Sequence, residues 1–294
     1  MCDCLIAQTD QMKSSSDNTT VYSPASVLRD PRRFFGEAFT DLRRSWEPAT
    51  HLFLKNLRSQ HRQSFLGYAW LLLPPLAAAV VWTGLNYSGI LSVGETKVPY
   101  PLFVLIGTMF WFAFVDALKC PLMDLKNSRD ILGKVRMPHE AVLLAGLGTV
   151  FFNFLVRALL VAAAFVYFGR MPGWTVLLTP VALISIVCLG LAIGLWLAPI
   201  GLLYDDINRT LDVVLGFGFL ITPVVYPIPK TWPVSLISEF NPLVPLLLTG
   251  RRWIQGYDLP SAPGFLSVTA LAFCALLAAW IFYRVAKPHL VSRL

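Results

Sequence analysis

Two long stretches without a single charged side chain, Phe65 to Leu91 and Trp174 to Tyr204, limit what this chain can fold into more than any other feature. About 20 consecutive apolar residues cross the hydrocarbon core of a bilayer as a helix, where every backbone N–H and C=O finds its partner within the segment. Four further apolar stretches run from Pro101 to about Leu118, Ala141 to Phe168, Val213 to Ile228 and Phe265 to Tyr283. Hydrophobic residues are 56% of the chain and charged residues 14%, against about 25% charged in an ordinary soluble domain. So few charges cannot cover a water-soluble globule. Disorder is excluded because it needs low hydrophobicity, and a membrane barrel would alternate polar and apolar residues instead of running continuously apolar. The expected fold class is all-α, a polytopic membrane protein with six transmembrane helices over residues 65–285.

The segments outside the spans carry the charge. Residues 1–28 are polar and read as a flexible tail. Residues 29–64 interleave arginines and lysines with Phe34, Phe35, Phe39, Leu42, Trp46, Leu52, Phe53, Leu54 and Leu57. That mixture predicts an amphipathic helix lying in the membrane interface; a solvated helix packed on another protein is the plainer reading. No secretory signal is expected, since the first 65 residues hold no apolar core near the start. Six spans put both ends on one side. Taking alternate connecting segments, eighteen of the 24 Lys and Arg residues fall on the side of the termini and five on the other. Flanking Lys and Arg favour the cytoplasm, so both termini, including the tail 286–294, are expected there. Of the five cysteines, Cys2 and Cys4 lie in the tail and Cys120, Cys188 and Cys274 in or near apolar stretches; the spacing implies no disulfide framework.

One segment breaks the pattern. Pro223, Pro227, Pro229, Pro233, Pro242 and Pro245 sit in apolar sequence. Prolines at that density forbid one continuous helix, yet the segment is too apolar for a free loop. Irregular backbone is tolerated at membrane depth only when buried in protein or lining a wet cavity. Broken, re-entrant helices before the last span are therefore expected; an extracytoplasmic proline-rich loop is the alternative.

Catalytic signals are weak. There is no Walker-type phosphate loop, no H-E-x-x-H and no G-x-S-x-G. His51, His61, His139 and His289 fall at span boundaries, which suits interfacial residues better than metal ligands, and no metal site is expected. Asp205-Asp206 resembles carboxylate pairs of some lipid-linked glycosyltransferases, but no other acidic cluster accompanies it. Arg157 is the one clearly intramembrane charge; burying it unpaired is costly, so it must meet either a buried acid or an anionic substrate. Asp116 and Glu140 are the nearest intramembrane carboxylates, and both read as lying close to span ends. Gly190-x-x-x-Gly194 permits a close helix approach. Trp82, Phe110, Trp111, Phe114, Phe217 and Phe219 are either packing residues or, if they line a channel, faces on which sugar rings stack.

Four ordered motifs carry a resemblance. They are His61-Arg62-Gln63-Ser64-Phe65-Leu66-Gly67-Tyr68-Ala69-Trp70 at the first span, Lys134-Val135-Arg136-Met137-Pro138 before the third, Tyr204-Asp205-Asp206-Ile207 after the fourth, and Pro223-Val224-Val225-Tyr226 with Asn241-Pro242-Leu243 and Arg251-Arg252 before the last. In this order they resemble the permease subunit of type-2 ABC exporters, in the branch that exports O-antigen, capsule and teichoic acid polysaccharides. Pro74-Pro75 and Asp205-Asp206 depart from the usual pattern, which has Asn-Pro and Arg-Asp at those places.

The resemblance implies a transport subunit without enzymatic activity or cofactor of its own, a homodimer bound to two copies of a separate ATPase that holds ATP and Mg. Membrane lipids and a lipid-linked glycan of the undecaprenyl pyrophosphate type would be its other partners, and nucleic acid would not. Loop 119–138 would couple to the ATPase through Leu122, Asp124, Lys126, Arg129, Asp130, Lys134 and Arg136. Arg58, Arg62, Tyr68 and Trp70 would flank the entrance for the glycan. Residues 222–250, with Pro223, Tyr226, Asn241 and Pro242, would form the extracytoplasmic gate. A drug or small-lipid exporter of the same fold, or a membrane-embedded transferase acting on lipid-linked sugars, are the competing readings.

Overall fold

The computed structural model describes residues 36, 40–61, 67–90, 96, 98–127, 139–204, 206–227, 239–256 and 263–291. Helix α1 covers Trp46–His61, α2 Ala69–Tyr87, α3 Tyr100–Asn127, α4 His139–Tyr167, α5 Thr179–Leu203, α6 Asp206–Ile221, α7 Leu243–Ile254 and α8 Pro263–Val291. A single 3-10 turn, Trp174–Leu178, leads into α5. No strand occurs among the described residues. Among the described residues, five helices are long and apolar enough to cross a membrane: α2, α3, α4, α5 together with its leading turn, and α8.

Helix α3 is the axis of the bundle. Leu102, Val104, Ile106, Phe110, Ala113 and Ala117 along it are wholly buried. Its closest neighbour is α5, and glycine sets that distance. A Cβ at Gly190 would lie 2.8 Å from the Phe114 carbonyl oxygen, and one at Gly194 would run into the Leu118 carbonyl. The spaced glycines therefore find their partner inside the subunit, on α3, where backbones approach closely without a side chain between them. The outer faces stay apolar and uncovered: Val80, Leu159, Ile184, Val213 and Phe217 are all more than half exposed. In a bilayer such faces meet acyl chains or another protein surface at no hydrophobic cost.

Local signals place the helix ends. Gly169 at φ +61° closes α4, with the Gly169 amide donating to Val166 O and the Arg170 amide to Phe165 O, the paired bonds of a left-handed glycine cap. Pro180 sits in the first turn of α5, where its missing N–H costs nothing. The Asn241 side-chain oxygen accepts the Leu243 amide at 3.0 Å and starts α7.

Helix α1 lies against one end of the bundle. Ala49 and Leu52 are buried with Ala141, Val142 and Ala145 of α4, Leu195 and Ala198 of α5, and Ala279 and Tyr283 of α8. His51, Lys55 and Arg58 are exposed on its other side. The amphipathic pattern is thus real, and its apolar face is spent largely on the protein.

Two expectations change. Helix α3 does not stop near Leu118 but runs on to Asn127, so the first part of the segment 119–138 is helix, and Asp116 stands well inside α3 instead of near its end. The stretch read as a span from Val213 is a helix of 16 residues that already begins at Asp206 and ends at Ile221; at 1.5 Å per residue it is about 24 Å long, short of the about 30 Å of hydrocarbon. Residues 222–227 after it form a turn, and the short α7 follows as a helix of its own. Residues 228–238 lie outside the described set.

Candidate functional site

The chemistry-bearing side chains fall at three levels of the bundle. The first is the end where α3 begins. There the chain leaves α6 at Ile221, turns through Thr222, Pro223, Val224, Val225 and Tyr226, and later returns as α7. Proline and the turn free several backbone carbonyls, and buried carbonyls need donors. Tyr100 Oη on α3 donates to Val225 O at 2.8 Å. Arg251 on α7 donates through Nη2 to Pro223 O at 3.1 Å and to Val224 O. Asn241 Nδ2 donates to Thr222 Oγ1 at 2.9 Å, and Tyr226 Oη reaches back to Leu220 O and Ile221 O at 2.7 and 2.9 Å. Arg251 is 2% exposed, and its guanidinium carbon lies 4.0 Å from the centroid of the Phe103 ring. The far end of α7 is pinned as well: Thr175 Oγ1 donates to Trp253 O at 2.5 Å, and the Trp253 ring packs edge-on against Phe265 at 5.1 Å.

The second level is the middle of the bundle. Arg157 Nη1 on α4 meets Asp116 Oδ2 on α3 at 2.7 Å, and Asn153 Nδ2 donates to the same oxygen at 3.2 Å. Of the two readings of Arg157, a buried acid or an anionic substrate, the structure carries the acid. The guanidinium carbon also lies 5.0 Å from the Phe112 ring.

The third level is the end where α1 docks. Arg284 on α8 pairs with Asp41 at 2.5 Å and faces Glu140 Oε1 at 3.4 Å, tying the segment before α1 to the first turn of α4. Lys119 on α3 pairs with Asp212 on α6. Tyr68, exposed at the start of α2, reaches Leu57 O of α1 at 3.5 Å and packs against Phe152 at 5.5 Å. Exposed Arg58 therefore sits on the same corner as Tyr68 and exposed Trp70.

The expected residues thus sort unevenly. Arg58, Tyr68 and Trp70 share one exposed corner, while Arg62 lies outside the described residues. Pro223, Tyr226 and Asn241 gather at the turn, with Pro242 exposed at the start of α7. Of the coupling set, Leu122 is 1% exposed and packs against Gly201. It serves the core because α3 continues past it, and it offers no docking surface in this subunit. Asp124 faces α4 beside Gly146, and Lys126 is exposed; Arg129, Asp130, Lys134 and Arg136 lie outside the described residues. Among the aromatic candidates, Phe110, Trp111 and Phe114 are buried within the subunit. Phe110 packs on Phe154 at 6.1 Å and Trp111 on Phe219 at 5.8 Å, Trp82 is half-buried, and Phe217 stays exposed.

Sequence reasoning quoted Arg251 within a motif but gave it no role, and it missed Gly107 and the placing of Arg284 between Asp41 and Glu140. For Arg251 a signal existed: a basic doublet at the end of an apolar helical run needs somewhere to put its charge.

No protein-family model matches the chain. Among curated proteins, the O-antigen export system permease protein RfbA of Myxococcus xanthus is 27% identical over 229 residues, covering 76% of this chain and 86% of the relative. The sequence is homologous to polysaccharide export permeases. The O-antigen export system permease protein RfbA of Klebsiella pneumoniae is 24% identical over 206 residues, 67% of this chain and 76% of the relative. The polysialic acid transport protein KpsM of Escherichia coli is 24% identical over 223 residues, 74% of this chain and 81% of the relative. Each match takes in two thirds or more of both chains.

Proposed function

We propose that the chain is the membrane-spanning permease of an ATP-driven exporter that moves a lipid-linked polysaccharide from the cytoplasmic side of a bacterial inner membrane. The observation that carries the reading is similarity, over about three quarters of the chain, to an O-antigen export permease and to a polysialic acid transport protein, together with the apolar helical bundle. Two copies would form the conduit, each bound to a separate ATPase. In this reading both termini are cytoplasmic, α1 lies at the cytoplasmic face, and α6, the turn 222–227 and α7 complete a sixth crossing as a broken one. Residues 222–250 form the extracytoplasmic gate, and the segment 119–138 couples to the ATPase.

The physics supports an amphiphilic anionic cargo. Arg58 and Lys55 are exposed on α1, and Tyr68, which reaches Leu57 O, and Trp70 are exposed at the start of α2. Basic residues at the interface attract phosphate at about 1 kcal/mol each, and aromatic faces suit sugar rings.

The test is export. A strain lacking this gene should lose its surface glycan and accumulate the lipid-linked form inside, and the cloned gene should restore the surface polymer. Normal surface glycan in the deletion strain would overturn the reading, as would glycan-modifying activity from the purified chain alone, which would point to a transferase. Charge reversal at Arg129, Lys134 and Arg136 should lower the yield of ATPase co-purified with the permease; unchanged recovery would remove the coupling role. Lys97→Cys and Arg170→Cys should be labelled by an impermeant thiol reagent from outside intact cells, and labelling only after permeabilisation would reverse the topology.

A further inference from the structure

We propose that Arg251 is the positioning residue of the outer gate, a latch whose guanidinium holds the broken turn after α6 against α3. The inference rests on reading 222–250 as that gate, and names the contact that keeps it shut.

Four observations converge. Arg251 is buried, at 2% exposure, and pairs with no carboxylate among the described residues. A buried cation without a counter-charge is costly unless fixed dipoles replace its water. Here the replacement is two consecutive carbonyls, Pro223 O and Val224 O, which are available only because the chain turns there instead of continuing as helix. The Phe103 ring supplies a third, electrostatically negative surface at 4.0 Å. Finally, α3 makes room. A Cβ at Gly107 would run into both Val224 O and Arg251 Nη2, so the turn, the guanidinium and α3 meet at a point where only glycine fits.

The same geometry explains why this is a latch and not a permanent strut. Nε and Nη1 of Arg251 are buried without a hydrogen-bond partner among the described residues. A guanidinium has five donors, and the closed arrangement uses one nitrogen. The cation is therefore held but not fully satisfied. Moving the turn away would exchange two carbonyls for water or cargo hydroxyls that can reach all three nitrogens. The closed state is stable enough to seal and close enough in free energy to an open one to be released. A cation at this position has a use in gating that an apolar side chain of equal volume would lack.

The experiment uses the full chain purified from membranes and reconstituted in nanodiscs, where a bulky impermeant maleimide reaches both faces. The five native cysteines are replaced. Val225→Cys reports on the turn, and Leu122→Cys reports on the core at the opposite end; both positions are buried. Losing hydrogen bonds from a charged donor should shift a local opening by about tenfold or more. Arg251→Gln should thus raise the labelling rate at position 225 about tenfold or more and leave that at position 122 unchanged. Arg251→Lys, which keeps a charge and can reach one carbonyl, should recover part of the protection. Gly107→Ala, which leaves the charge in place and only crowds the joint, should also raise labelling at position 225. Unchanged labelling at position 225 in Arg251→Gln overturns the latch. A rise at both positions also overturns it, because the arginine would then be a general support of the bundle. None of these readouts depends on export or on an ATPase, so a failed latch is distinguishable from a failed assignment of the transporter.

Discussion

The two buried arginines of the bundle solve the same problem in opposite ways. Arg157 on α4 is neutralised by Asp116, which Asn153 also holds. Arg251 on α7 has, among the described residues, carbonyl dipoles and a phenyl face in place of a carboxylate. The first arrangement joins two long regular helices, and both of its members are side chains. The second joins a helix to a break in the backbone, and its acceptors exist only while the break keeps its shape. A charge pair survives small movements of the backbone, whereas a carbonyl cradle does not. Rigidity is therefore expected where Arg157 sits and adjustable closure where Arg251 sits.

Removing one member of the charge pair should have the largest effect. Asp116→Ala leaves Arg157 buried without its acid and should destabilise the bundle by about 3–5 kcal/mol, read as loss of the thermal melt and of protein recovered in the membrane. Asp116→Leu combined with Arg157→Met should recover most of that loss, because an apolar pair of similar volume removes the uncompensated charge. A double variant as unstable as the single one would refute the strut.

Overpacking the α3–α5 contact comes next. Gly194→Val drives a branched side chain into the Leu118 carbonyl and should cost about 1–3 kcal/mol in the same melting assay, since the other face of the residue cannot relieve the clash. Arg251→Gln should be of similar size or smaller, about 1–3 kcal/mol for the carbonyls left without a donor. Its effect should be concentrated at the turn, so that hydrogen exchange rises at residues 222–226 and not at α3–α4. Equal exchange at both levels would erase the distinction between strut and latch. The smallest change should come from Lys119→Ala. Its pair with Asp212 is partly open to water, and such pairs contribute about 0–1 kcal/mol; a melt displaced as far as that of Asp116→Ala would mean that the pair is shielded from solvent.

The legibility of these features in the sequence follows their range. Helices α2, α4 and α5 and the start of α8 were readable to within a few residues because a run of apolar side chains must be helical in a bilayer, whatever surrounds it; α8 runs on to Val291, past the expected end at Tyr283. The end of α3 was not. Lys119, Asp124 and Lys126 look like a loop in one dimension, but on a helix they divide among several faces, so that Lys119 meets α6 while Asp124 faces α4. The same cause hid the place of Leu122, which packs against Gly201. The proline cluster announced a break after α6, yet nothing local said which side chains would satisfy the freed carbonyls. Those came from Tyr100, 125 residues away from its acceptor, and from Arg251, 27 residues away.

The order of apolar runs, prolines and basic flanks settled by itself that this chain is a helical membrane protein with a broken segment before its last span, because solvation by lipid and backbone hydrogen bonding act on each residue separately. Tertiary structure alone decided that Arg157 meets Asp116, that Gly190 and Gly194 admit α3, and that Arg251 closes on the turn after α6. Those outcomes depend on which helix faces which, and a one-dimensional pattern holds no record of that choice.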